Sequence, residues 1–300
     1  MTTVALISHD AGGAEILSSW ARRNGQAAVL VAEGPAVAIF QRKCPEMKPL
    51  PLSEAVSAAD WLLCGSGWQS ALERDAIRAG RFAGKKTVTF LDHWVNYRER
   101  FEENGQLILP DEIRVGDEDA LRIAKSVFPG HPVVLEENPY VLDLRDEIGA
   151  VAALSQAGGK TGKILYVCEP IADHAAQAYG DARHFGYTEH DALQFFLDKL
   201  DLLNAGSSSI VIRPHPSEKA DKYAWALAAS RQPVSFGGCN TLLAETLAAD
   251  IVVGCESMAL IVGLLAGKRV VSSIPPGGRP CRLPQASIEH LAVLEAARRD

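Results

Sequence analysis

An α/β fold built on parallel sheets is predicted by three observations. Short apolar, β-branched runs alternate with longer amphipathic segments from one end of the chain to the other, the pattern of strands joined by crossover helices. The alternation is interrupted by "ALSQAGGKTG" (153–162), a small, polar, Gly-rich stretch with the character of a linker. At 300 residues the chain is long for one core and comfortable for two, since domains run to roughly 100 to 200 residues. Two similar α/β domains facing each other across a cleft are therefore expected, residues 1–152 and 153–300.

In the first half, "TVALIS" (3–8), "AAVLVA" (27–32), "WLLCGS" (61–66), "KTVTFLD" (86–92) and "EIRVGD" (112–117) read as strands. "GAEILSSWARRNG" carries its apolar residues on one helical face and closes at Gly25, and "WQSALERDAIRAGRFAG" does the same before Gly84. The second half repeats the pattern with strands "KILYVCE" (163–169), "SSIVIRP" (208–214), "PVSF" (233–236), "DIVVGC" (250–255) and "KRVVSS" (268–273). Helices are predicted over "EHDALQFFLDKLDLLNAG", "EKADKYAWALAAS", "NTLLAETLAA" and "SMALIVGLLAG". The tail "QASIEHLAVLEAARRD" reads as a final helix with the option of packing back on the first domain.

Composition narrows the function. A formal net charge of −7 argues against a nucleic-acid partner, which needs a basic face to neutralise phosphates. The six cysteines stand singly, without a Cys-x-x-Cys pair or a histidine at metal-ligand spacing, so no metal and no disulfide framework is expected. No apolar run reaches the roughly 18 to 20 residues of a transmembrane span, and the N-terminal run is too short and uncharged for a signal peptide. The expectation is a reduced, cytoplasmic protein.

Ligands of open parallel sheets bind outside the carboxyl ends of the strands, and four such tips carry chemistry. "SHDAGGAE" places His9 and Asp10 beside Gly12 and Gly13 at the start of a helix, where glycines permit a tight turn and close approach of the backbone. Asp10 as a plain helix cap is the bland alternative. "FLDHWVNYRERF" groups Asp92 and His93 with Trp94, Asn96, Tyr97 and Arg98, the composition of a binding loop.

"IVIRPHPSE" holds His215 between Pro214 and Pro216, next to Arg213. The prolines fix an extended geometry and donate no hydrogen bonds, which suits an imidazole presented to a phosphate or nucleotide. A strand terminator with a solvated histidine is the alternative. In "GCESMAL" a strand ends and Glu256, Ser257 and Met258 open an apolar helix, whose amides and hydroxyl are suited to receive a phosphate.

With these elements the chain resembles the GT-B class of nucleotide-sugar glycosyltransferases. It resembles most the bacterial sialyltransferase and polysialyltransferase-like proteins and the capsule-polymer transferases. The resemblance implies two Rossmann-like domains. It also implies a His-Pro motif matched by His215 and Pro216, a serine motif approximated by Ser257, both binding the cytidine nucleotide of the donor, and an acidic base for which Asp10 is the candidate. The activity so implied is an inverting, metal-independent transfer from a nucleotide-activated sugar, with CMP-nonulosonic acid as one donor, to a glycan or glycoconjugate acceptor in surface polysaccharide or capsule biosynthesis. No cofactor is expected beyond the donor itself. His9 or Asp10 would deprotonate the acceptor, and His215 with the Ser257 helix start would stabilise the departing phosphate. Two alternatives stay open: a nucleotide-sugar epimerase or hydrolase on the same fold, and an inactive nucleotide-sugar-binding scaffold. The scaffold is kept open because no clear Asp/Glu-Asp/Glu-Gly triplet occurs in the first domain.

Overall fold

The computed structural model describes residues 2–67, 70–154, 161–204, 208–219 and 221–299. The chain divides into two compact units, Met1–Asp143 and Leu144–Asp300. The expected linker, 153–162, falls largely on residues outside those described.

The first unit runs β1 (Val4–Ser8), α1 (Ala11–Asn24), β2 (Ala28–Ala32), α2 (Pro35–Lys43), α3 (Leu52–Ala58), β3 (Trp61–Cys64), α4 (Leu72–Phe82) and β4 (Lys86–Phe90). It continues with α5 (Tyr97–Phe101), a small hairpin of β5 (Glu102–Glu103) and β6 (Gln106–Leu107), then β7 (Glu112–Val115), α6 (Glu118–Val127) and β8 (Val133–Leu135). Helix α7 (Pro139–Leu154) follows, and the division between the units falls inside it.

Six of these strands form one parallel sheet in the order β2-β1-β3-β4-β7-β8. Alternation along β1 sorts its side chains between two cores, as a period of two requires. Val4 and Leu6 pack with Leu17, Trp20, Leu30, Phe40 and Leu63, and Ala5 and Ile7 with Leu62, Cys64, Ile77 and Ile113. All five residues of β1 are buried, and a fully buried Leu, Ile or Val contributes roughly 1.5 to 3 kcal/mol.

The second unit runs β9 (Lys163–Val167), α8 (Ile171–Tyr179), α9 (Glu189–Asp198), a short 3-10 turn (Leu200–Leu203), β10 (Ser209–Arg213), α10 (Ala226–Ala229), β11 (Val234–Phe236), α11 (Leu242–Leu247) and β12 (Ile251–Gly254). It ends with α12 (Met258–Leu265), β13 (Arg269–Ser272), β14 (Ile288–His290) and α13 (Leu291–Arg299). Its parallel sheet has the order β11-β10-β9-β12-β13-β14, the strand order of Rossmann domains.

In each sheet the chain leaves the first strand toward one edge and later returns to its other side. The resulting switch points lie between β1 and β3 in the first unit and between β9 and β12 in the second. These are the crevices in which open α/β sheets take ligands.

Several elements differ from the sequence reading. β8 and β14 are three-residue strands, too short to show a period. β14 lies inside the stretch read as the terminal helix, because Ile288 pairs with Val270 at the sheet edge. The helix then begins at Leu291, and α13 meets the 3-10 turn of the same unit through Lys199 and Glu295. The helix expected over "EKADKYAWALAAS" shrinks to Ala226–Ala229. Glu218 is drawn inward there, accepting from Lys222 Nζ at 2.8 Å and Tyr223 Oη at 2.7 Å.

Candidate functional site

At the first switch point, Ser8 ends β1 and the next two residues turn toward α1. His9 Nδ1 donates to Asp10 Oδ1 at 2.7 Å, so the neutral imidazole keeps its lone pair on Nε2. No described residue bonds that nitrogen. It lies against Gly34, whose Cβ, if present, would stand 2.6 Å away. His9 and Asp10 are each about one-fifth exposed, which keeps the pair accessible and fixed at once.

Three residues not singled out from the sequence hold this tip. Glu73, on the first turn of α4, accepts the His9 backbone N–H at 2.7 Å through Oε1. Its Oε2 is buried without a partner, and burial pushes its carboxyl above the usual carboxylate range. Ser66, just after β3, donates to Asp92 Oδ1 at 2.8 Å, and Arg100 Nη1 donates to that same oxygen and to the Ser66 carbonyl.

Glycines make the close packing of these strand tips feasible. A Cβ on Gly12 would lie 1.8 Å from Asp92 Oδ2, and one on Gly13 would lie 2.9 Å from both Gly65 Cα and Ser8 Oγ. The structure thus brings together His9, Asp10, Gly12, Gly13 and Asp92 at the tips of β1, β3 and β4. Asp92 is committed to an internal ion pair with Arg100. His93 stacks edge-on against Trp94 at 5.5 Å, and Trp94 Nε1 donates to Asp117 at 2.9 Å.

At the carboxyl edge of the second sheet, the "RPHPSE" turn has a defined chemistry. The Ser217 backbone N–H donates to His215 Nδ1 at 3.2 Å, and Ser217 Oγ lies 2.7 Å from the same nitrogen. A backbone N–H can only donate, so Nδ1 accepts and the proton of the neutral ring sits on Nε2. His215 therefore presents a donor where His9 presents an acceptor. Burial holds the His215 pKa below the usual histidine value, with His174 pushing the same way and Glu218 opposing. Glu218 anchors the turn by accepting the His215 N–H at 2.9 Å. Arg213 is paired with Glu245 at 2.7 Å, and Pro216 is exposed.

The second switch point is filled from within. Glu169, two residues past the end of β9, accepts three backbone N–H groups through Oε1: Cys255 at 2.9 Å, Glu256 at 2.8 Å and Ser257 at 3.1 Å. These are the amides that open α12, beside which Met258 begins the helix. The Ser257 hydroxyl makes no capping bond. Glu256 holds the proline-rich segment that follows β13, accepting from the Arg282 N–H at 2.7 Å and pairing with Arg282 and Arg279. Arg279 in turn lies 3.8 Å over the Phe185 ring.

Burial, with Glu256 adding repulsion, pushes the Glu169 carboxyl up to about 7, against the pull of its three amide donors. Glu169 was legible as a strand-tip residue in "YVCEP", but a lone acid there gives no hint of where it points. Among the described residues no three His, Cys, Asp or Glu side chains converge as a metal site. No helix among them is long and apolar enough to cross a membrane.

No protein-family model matches the chain, and no curated protein matches it by sequence. Solved structures do. The chain is similar to S. aureus MnaA solved with UDP, at 12% identity and a TM-score of 0.60, covering 91% of this chain and 79% of that one. It is similar to the UDP-GlcNAc 2-epimerase of Methanocaldococcus jannaschii, at 8% identity and a TM-score of 0.58 over 90% and 83% of the two chains. The glycotransferase of kitacinnamycin matches at 13% identity and a TM-score of 0.53 over 99% and 84%. At such identities the likeness is one of fold, and the fold is of the GT-B kind, with two α/β units each built on a six-stranded parallel sheet.

Proposed function

We propose that the protein is an enzyme acting on a nucleotide-activated sugar; the second unit offers a nucleotide-binding strand tip at His215, and the first offers a proton-transferring pair, His9 and Asp10. The observation that carries this reading is the hydrogen bonding of two strand-tip histidines, one in each unit. His9, tied to Asp10 through Nδ1, offers a basic Nε2, and His215, accepting through Nδ1, offers an acidic Nε2–H. A base of the first kind suits removal of a proton from a hydroxyl. A donor of the second kind suits a phosphate oxygen that gains charge as the sugar departs.

Glycosyl transfer to an acceptor hydroxyl is the leading reaction. Epimerisation is the second reading, favoured by the fold shared with the UDP-GlcNAc 2-epimerase and by a base equally able to take a proton from a sugar carbon. The CMP-nonulosonic acid donor and the surface-glycan or capsule role belong to the finer form of the transferase reading, as does a cytoplasmic place of action. UDP-sugars come first among donors, because S. aureus MnaA was solved with UDP.

A calorimetric titration of UDP, CMP, GDP and CDP tests the reading. One nucleotide is expected to bind, and His215→Ala to weaken it by about 1 to 3 kcal/mol, the range for a charge-assisted hydrogen bond. Binding of none removes the reading. With the nucleotide known, incubation of its sugar in deuterated water separates the reactions: deuterium entering the sugar without acceptor marks epimerisation, and acceptor-dependent nucleotide release marks transfer.

A further inference from the structure

Glu189 and Glu218 carry buried carboxylates, their side chains 4% and 1% exposed, and a single cation serves both. Lys222 Nζ donates to Glu218 Oε1 at 2.8 Å and is paired with Glu189 Oε1. Asp173 lies 3.8 Å from the same ammonium but is largely exposed, so water screens it. Each buried carboxylate turns its second oxygen to a backbone N–H at a different strand tip. Glu218 Oε2 accepts from His215, after β10, at 2.9 Å. Glu189 Oε2 accepts from Ala172, in the first turn of α8 after β9, at 2.8 Å.

We propose that Lys222 is a positioning residue for His215: by neutralising both carboxylates it ties the turn that carries the imidazole to the start of α8, and so fixes the direction in which the Nε2–H is offered. The inference rests on the reading that His215 donates to the phosphate of a nucleotide.

The hydrogen bonding of Glu218 makes the coupling tight. The Lys222 ammonium and the His215 backbone N–H can only donate, and Tyr223 Oη lies 2.7 Å from Glu218 Oε1, so both oxygens of Glu218 serve as acceptors. The Glu218 N–H closes the same turn on the His215 carbonyl at 2.9 Å. Lys222 follows Glu218 by four residues, a spacing that makes a surface pair on a helix, but here α10 starts only at Ala226 and the pair is turned inward. Without the cation, two buried carboxylates are left uncompensated, and one must take up a proton or turn to water. A Glu218 that turns away releases the His215 N–H. The Ser217 amide then no longer meets Nδ1 as it does in the closed turn, and the ring loses its aim.

A double-mutant cycle on UDP affinity separates positioning from general support of the fold. Lys222→Met is expected to weaken UDP about tenfold in the wild-type background and less than about twofold where His215 is already replaced by His215→Ala, because a residue that acts through His215 then has nothing left to position. Equal losses in both backgrounds, or no loss in either, would overturn the proposal. The second readout is the His215 ring itself. Long-range 1H–15N spectra at about pH 8, where the imidazole is neutral, are expected to show a bare Nδ1 and a protonated Nε2 in the wild type and a mixture of the two tautomers in Lys222→Met. Identical His215 spectra in the two proteins refute the positioning role.

Should Lys222→Met fail to fold, combining it with Glu189→Gln removes the bridge without changing the net charge, and the same two readouts apply. The outcomes also keep the two readings apart. UDP binding that His215→Ala weakens and Lys222→Met does not leaves the nucleotide site and removes the positioning role. Absence of UDP binding in the wild type removes the nucleotide site and leaves the ring spectra to decide, a changed tautomer in Lys222→Met keeping the positioning role and an unchanged one removing it.

Discussion

His9 Nδ1 lies 2.7 Å from Asp10 Oδ1, so neighbouring residues at the end of one strand form a hydrogen-bonded imidazole and carboxylate pair. Sequence adjacency rarely yields such a pair, since successive side chains of a strand point to opposite faces. Here the chain has already left β1 and turns toward α1, which lets both groups meet.

The first prediction concerns that pair. Asp10→Asn is expected to lower kcat by about 10²- to 10⁴-fold with a smaller change in KM, because it removes the carboxylate that fixes the His9 tautomer. His9→Gln is expected to fall at least as far. Steady-state kinetics on the nucleotide-sugar identified by calorimetry checks both, and activity within about threefold of wild type in either variant would remove the pair from the mechanism.

Gly12 is a packing requirement. A Cβ at this position would lie 1.8 Å from Asp92 Oδ2, so Gly12→Ala must displace either the start of α1 or a carboxylate held by Arg100 and Ser66. A loss of about 2 to 4 kcal/mol in urea unfolding is expected, whereas Gly25→Ala, with open space around it but a φ of 59°, should cost only about 1 kcal/mol.

Arg100 and Asp92 form a pair of which the arginine is almost fully buried. Arg100→Met leaves the Asp92 carboxylate without its cation and is expected to cost about 3 to 5 kcal/mol. Adding Asp92→Asn to that variant should restore part of the loss. Chemical unfolding of the two single variants and the double variant gives the coupling directly.

Glu73 gives a pH signature to stability. Its folded pKa lies above its unfolded value, so its favourable contribution is complete below the unfolded pKa and is lost as pH rises through the folded one. Glu73→Gln keeps an oxygen for the His9 N–H and carries no charge. It is expected to be more stable than wild type near neutral pH, with the gap closing toward about pH 4. Melting temperatures of both proteins across that range test the sign.

How far the sequence carries is visible in particular elements. The parallel α/β architecture was written in the runs that became β1, β9 and β12, because strands buried on both faces read as continuous apolar stretches. The strand tips carrying His9, Asp10, His215 and Ser257 were equally legible, since the end of such a run and the polar residues after it are local features. Of the three-residue edge strands, β11 was read from "PVSF" while β8 and β14 were missed, because three residues are too few for a period to set a strand apart.

The sequence by itself determined the class of fold, its two-part repetition and the positions of the tips, all of which follow from the order of apolar and polar residues along the chain. Only the tertiary structure decided what each tip residue touches. Ser66 and Arg100 reach Asp92 from 26 and 8 residues away, and Glu169 reaches the α12 amides across 86 to 88 residues. The physical reason is that hydrogen bonds and charge compensation depend on distance in space. A parallel sheet brings residues far apart in the chain to neighbouring strand ends, where a local pattern leaves no trace of them.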